Sequence, residues 1–184
     1  MSFGPYINQL VSLCFYQLRC IKACVKALPM DVVKTAVNSF VVSRIDYCNC
    51  SLAGAPQYQL NQLQAVMNSA GRLICGLNKF DHISRVVQSG SPGIWTVKME
   101  RESRVLRDRL HWLPVEQRIQ YKLCLLVYKA QCGLASQYLV DFCQPVSAVS
   151  GRSGLRSSTC GNLVIVWTET DFRECSFAVA APLA

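Results

Sequence analysis

The residues able to do chemistry are varied in kind but scattered along the chain. Asp46, Asp81, Asp108 and Asp141 stand far apart, and no Asp-Asp pair occurs anywhere. Two-metal phosphoryl chemistry needs carboxylates close enough to share the ions, so it is not expected of these residues. His82 follows Asp81, but a general base also needs a nucleophile or an orienting partner that the sequence does not supply. The expectation there is structural, with Asp81 capping a helix that begins at His82. The chain has 11 cysteines. The spacings Cys20/Cys24 and Cys48/Cys50 are not those of a zinc finger, and His82 and His111 are the only histidines. Cys14, Cys75 and Cys124 fall at apolar helical positions, which predicts reduced, buried thiols and no metal. No phosphate-binding GxxxxGK[ST], HExxH, GxSxG or zinc knuckle occurs, so neither a cofactor nor an enzymatic reaction is expected.

What remains is positive charge. The formal net charge is +8, and it is uneven. Met1–Phe80 carries 7 basic and 2 acidic residues, Asp81–Ala130 carries 9 and 5, and the remainder 3 and 4. A basic bias of this size fits a polyanion partner or a chain that attracts nucleic acid nonspecifically. Arg19, Lys22 and Lys26, at i, i+3 and i+7 of one helix, suit either a phosphate-following face or a solvated one. Arg44, Arg72 and Lys79 complete the set of candidate nucleic-acid contacts.

Those side chains must be carried by helices. Ile7–Leu28 shows an apolar stripe through Leu10, Val11, Cys14, Leu18, Ile21 and Val25. Pro29 interrupts it, and Asp31 is the expected N-cap of a second helix reaching Tyr47, with Val33, Ala36, Val37, Phe40 and Val41 inward. The β-branched residues of that stretch leave a strand as the competing reading. After a loop at Ser51–Pro56, Gln57–Cys75 is amphipathic through Leu60, Leu63, Val66, Met67, Ala70, Leu73 and Ile74, and Gly76 ends it. Asn61, Gln62, Asn68 and Arg72 fall on its outer faces. A short approach helix, a Trp-Leu-Pro corner and one long helix make up Arg107–Leu134. Ile119, Leu123, Leu126, Val127 and Ala130 point inward, and Tyr121, Leu125 and Tyr128 widen the apolar circumference. This helix is therefore expected to be buried on more than one side. Ala135–Cys143 predicts a further short helix, Pro145–Thr159 a Ser/Gly-rich linker, and Leu163–Trp167 a β segment.

The segment LHWLPVEQRIQYKLCLLVYKAQCGLASQYLVDF at Leu110–Phe142 resembles the C-terminal part of reverse transcriptases from LINE-type, non-LTR retrotransposons. FVVSRIDYCNCSLAGAP (Phe40–Pro56) and LQAVMNSAGRLICGLNKFDHI (Leu63–Ile83) match the same family in the same order. So do LRSS at Leu155–Ser158 and SFAVAAP at Ser176–Pro182. The likeness covers nearly the whole chain except Val86–Arg104. There, QSGSPGIWTVKMERES stands where relatives run almost directly from one motif to the next. The family's basic residues after Trp167 are replaced by Glu169, Asp171 and Glu174 around Arg173. The resemblance implies a thumb-side helical bundle, which in such enzymes tracks the template–primer duplex by phosphate contacts. Relatives carry an endonuclease module upstream and continue past the SFAVAAP motif, so a fragment is expected.

The fold class expected is mostly α. We expect a bundle of about five to six helices, a short C-terminal β segment and a disordered insertion. Residues 1–85 form the first part of the bundle, 86–104 an unrelated flexible insertion, 105–144 the second part and 145–184 the linker and tail. The longest apolar runs are broken by Lys122, Lys129 and the Arg19/Lys22/Lys26 set, short of the roughly 20 residues that span a bilayer. No signal peptide is read at MSFGPYINQ, which places the protein inside the cell, in cytoplasm or nucleus. The functional expectation is a non-catalytic reverse-transcriptase remnant with weak, nonspecific RNA or DNA binding. A helical protein-interaction module, with a protein partner or self-association, stands as the alternative. An open reading frame without selected function is the third reading.

Overall fold

The computed structural model describes residues 3–76, 110–149, 151, 162–165 and 177–183. They are overwhelmingly helical, as the fold class predicts, and group into two compact units. One comprises Gly4–Tyr47 and Gln57–Val115. The other comprises Met1–Phe3, Cys48–Pro56 and Glu116–Ala184. Val86–Arg104, Asp81 and His82 lie outside the described residues.

In the first unit, helix α1 (Gly4–Cys24) buries Ile7, Leu10, Cys14, Leu18 and Ile21, one stripe at three- and four-residue steps. A 3₁₀ turn at Val25–Ala27 ends it before Pro29. Helix α2 (Met30–Val37) starts one residue earlier than expected, with Pro29 at the cap position and no side-chain cap bond. Asp31 is thus not the N-cap. Its carboxylate sits in the first turn, where the helix dipole favours negative charge. The helical path continues through a π turn at Asn38–Val42 into α3 (Ser43–Asp46). Inside it, the Ser43 hydroxyl donates to the Ser39 carbonyl at 2.5 Å.

That π turn corrects the expected inward face. A five-residue turn adds one residue per turn and rotates everything after it. Val33 and Val37 are buried before it, Val41 and Val42 within it, and Ile45 after it. Phe40, expected inward, is 50% exposed. Ala36 is only half-buried. The strand alternative does not occur, since packing of the valine stripe against α1 and α4 outweighs β-branched propensity.

Helix α4 (Gln57–Cys75) has the predicted bounds, and its predicted inward residues are buried except half-buried Leu73. Gly76 follows at φ +65°, the left-handed conformation that closes a helix at low steric expense. α4 packs chiefly along α1. Asn68, expected on an outer face, is buried beside Gln64. The Gln64 Nε2 donates to Asn68 Oδ1 at 2.8 Å, and Gln64 Oε1 accepts the Val115 backbone N–H at 2.9 Å. Two amides thus satisfy each other, and one of them also satisfies a helix-start N–H with no intrahelical partner. The corner before that helix turns at His111, whose φ is +55°, and seats Trp112 and Val115 inside. His is among the residues that tolerate this region better than most.

In the second unit, Cys48 stands at φ +50° ahead of a 3₁₀ turn at Asn49–Leu52, in the segment that includes the predicted loop. Helix α5 (Val115–Gln131) buries Ile119, Leu123 and Ala130 and half-buries Leu126 and Val127. It closes with a Schellman motif. Leu134 N–H donates to Lys129 O at 2.8 Å and Gly133 N–H to Ala130 O at 3.3 Å, with Gly133 at φ +68°. Short α6 (Gln137–Phe142) follows, then a 3₁₀ turn at Val146–Ala148, and later α7 (Phe177–Ala180). Ala130, Cys143 and Ala181 form a small core lined by Val127, Ala135, Val140, Leu163 and Phe177. The expected β segment is reduced, within the described residues, to a single antiparallel bridge between Pro145 and Leu163. Val166 and Trp167 lie outside the described residues. No helix among the described residues is long and apolar enough to cross a membrane.

Candidate nucleic-acid interface

The cations of the first unit take their positions from the stripe that buries α1. Because Leu18 and Ile21 are held inside, the residues between and beyond them must face outward. Arg19 and Lys22 are exposed on α1, and Lys26 is exposed in the 3₁₀ turn that extends it. The structure therefore brings these three together along one flank of a continuous helical path. Arg44 is exposed on α3, which packs against α1. Its charge reaches the Cys14 thiol: burial pushes that thiol's pKa up, and the guanidinium partly offsets the rise. Arg72 is half-buried on α4 and engaged in an interaction of its own. Lys79 lies outside the described residues.

Lys34, exposed on α2, was not selected from the sequence. Its signal was available, since Val33 and Val37 fix the inward face and leave position 34 outside. Among the described residues of this unit, Arg19, Lys22, Lys26, Lys34, Arg44 and Arg72 oppose only Asp31 and Asp46. The described part of the second unit is nearly balanced, with Arg118, Lys122 and Lys129 against Glu116 and Asp141. The positive field is therefore a property of the first unit. It can attract a polyanion and follow a phosphate backbone without reading a base.

The thiols depart from expectation. All nine described cysteines are free, but only Cys14 and Cys143 are buried. Cys20, Cys24, Cys48, Cys124 and Cys132 are exposed, and Cys50 and Cys75 are half-buried. Cys124, at an apolar helical position and so expected to be buried, is one of the exposed thiols. It lies off the buried stripe, whose Leu123 and Ala130 are seven residues apart. Among the described residues, no three His, Cys, Asp or Glu side chains gather where they could hold a metal ion. Asn61 is exposed and Gln62 half-buried, with the Gln62 Oε1 enclosed and lacking a hydrogen-bond partner.

Helix α5 gives the largest correction. Tyr121, Leu125 and Tyr128, expected to pack, are 59%, 36% and 62% exposed. Their face looks away from Ile119, Leu123 and Ala130. A hydrogen bond with Cys132, one turn further on, raises the Tyr128 pKa. The apolar run deceived the sequence reading, because packing on a second side requires an element that the described residues do not place there. No family model, curated protein or solved structure matches the chain.

Proposed function

We propose that this chain is a non-catalytic, thumb-side segment derived from a LINE-type, non-LTR retrotransposon reverse transcriptase. Its first unit binds RNA–DNA or DNA duplexes weakly, through phosphates and without sequence preference. The ordered motifs from Phe40 to Pro182 support the lineage, and the lack of any Asp-Asp pair supports the non-catalytic character. The observation that carries the binding reading is the Arg19–Lys22–Lys26 flank of α1, exposed beside a buried stripe in a unit with few carboxylates. Counterion release makes such binding weaken steeply with salt. The setting is intracellular, in the cytoplasm or nucleus where such nucleic acids occur.

The test is fluorescence anisotropy of a labelled RNA–DNA hybrid across a salt series, on a sample with helical circular dichroism. Affinity should fall as a power of salt concentration. Lys22→Glu with Lys26→Glu should lower both affinity and slope, each lost phosphate contact removing roughly 0.9 from the slope for a B-form duplex. A folded sample that ignores the hybrid at low salt rejects the proposal.

A further inference from the structure

The outward face of α5 has the pattern of one half of a helix pair. Tyr121, Leu125, Tyr128 and Cys132 recur at alternating steps of four, three and four, the d and a positions of a heptad. All four are exposed. The helical hydrogen bond from Cys132 N–H to Tyr128 O, 3.0 Å, keeps the last of them in register. At 1.5 Å per residue the seam runs roughly 16 Å. Ile119, Leu123 and Ala130 are buried on the opposite side, so the helix has two apolar faces, one buried and one exposed.

The flanks specify what fits. Lys122 and Lys129 occupy the two e positions beside the seam, and Arg118 the a position before it. Gln117, Cys124 and Gln131 occupy the g positions and carry no charge. Glu116, the one carboxylate of α5, sits at an f position on the far side. Residues at e and g choose partners by opposite charge. A second copy of this chain is a poor match. Antiparallel pairing sets the lysine flank against its own copy, and parallel pairing offers lysines only uncharged residues.

We propose that the Tyr121–Leu125–Tyr128–Cys132 seam of α5 docks an amphipathic helix of a partner protein that carries leucine-type residues along its contact face and Asp or Glu at its flanks. Docking of this kind reads anchors at i, i+3, i+4 and i+7. The tyrosines supply the broad, amphipathic contact area that marks interface anchors. Leu125 and Cys132 fill the space between the rings with aliphatic and thiol surface, which suits a helix better than stacked bases. This site is separate from the α1 flank and does not rest on the nucleic-acid reading.

The experiment uses the full chain and two designed fluorescent peptides. Both have Leu along one helical face, and they differ in carrying Glu or Lys at the flanks. Wild type should bind the Glu-flanked peptide about threefold to tenfold more tightly, as charge contacts to exposed Lys129 and half-buried Lys122 allow. Lys122→Glu with Lys129→Glu should reverse the preference. Tyr121→Ser with Tyr128→Ser should weaken the preferred peptide at least tenfold while circular dichroism stays unchanged, since both side chains are exposed. Lys22→Glu with Lys26→Glu should leave peptide binding as it was.

Equal binding of the two peptides, or indifference to the tyrosine replacements, overturns the proposal. So does a tyrosine-dependent affinity for oligouridylate with no peptide binding, which assigns the face to single-stranded nucleic acid. Tyrosine-dependent self-association in sedimentation, again without peptide binding, assigns it to a second copy and overturns the proposal equally.

Discussion

The two units use the same material, short amphipathic helices, and reach different ends. Among the described residues, ten of the eleven largest fully buried side chains, including Ile7, Val33, Ile45, Leu63, Met67 and Val115, belong to the first unit. In the second, the Ala130 cluster is built of alanine and cysteine, with larger neighbours only half-buried. Tyr121, Tyr128, Leu134, Tyr138 and Phe142 remain exposed there. Burying a large aliphatic side chain is worth roughly 1.5–3 kcal/mol, and an alanine offers much less area to remove from water. Both units leave large apolar side chains exposed, among them Tyr16, Phe40, Tyr47 and Tyr58 in the first, and the first adds an excess of cations. The second keeps charge balanced and shows apolar surface. What separates the units is charge and core size: the cationic excess over a filled core suits an electrostatic partner, and the nearly balanced second unit does not.

Urea unfolding separates the units most strongly at their cores. Leu63→Ala, at a site with no exposure, should cost about 2–5 kcal/mol. Val179→Ala in the second unit removes two methyl groups from a thinner core and should cost less, about 1–2 kcal/mol. Equal losses would remove the distinction between the two cores.

The next pair of changes has opposite signs. Gln64→Leu strands the buried Val115 N–H and takes the donor from Asn68, so about 1–3 kcal/mol should be lost. Asn49, in the second unit, is 1% exposed, and neither its Oδ1 nor its Nδ2 has a partner. Asn49→Leu removes that unpaired polarity and should be neutral or stabilising by up to about 1 kcal/mol. Denaturation midpoints of both variants in one series decide it, and a destabilised Asn49→Leu would contradict the assignment.

The smallest expected effect is a pH slope. Cys14 is buried and its thiol pKa is raised above the ordinary 9.0. The folded state therefore holds the proton more tightly than the unfolded chain. That stability is complete below pH 9.0 and is lost as pH rises toward and through the folded value. Stability of the first unit should decline above that pH, and Cys14→Ala should flatten the decline. An unchanged slope in the variant would place the dependence elsewhere.

Where one period explained a segment, the sequence was sufficient. Gln57–Cys75 repeats without interruption and ends at a glycine, so both its bounds and its inward residues were legible. The α1 cations were legible for the same reason, since a well-defined buried stripe leaves little choice for Arg19, Lys22 and Lys26. Phe40 was misplaced because a π turn changes the phase, and no residue type announces it. Asn68 was placed outside because a polar side chain reads as solvated. Its burial depends on Gln64 one turn away and on Val115, which lies 51 residues from Gln64. The α5 tyrosines were placed inside because an apolar residue reads as packed, whereas packing needs a second surface. Each miss comes from a contact that local periodicity does not encode.

The bond from Gln64 to the Val115 N–H also bears on how this fold tolerates change in length. It fastens the start of α5 to the middle of α4, whatever number of residues joins them. For a chain loop, doubling the length adds only about 0.6 kcal/mol to closure. Leaving a buried N–H unsatisfied costs about 1–3 kcal/mol, which is more. A change in the number of residues between Gln64 and Val115 is therefore a smaller cost than loss of this one bond.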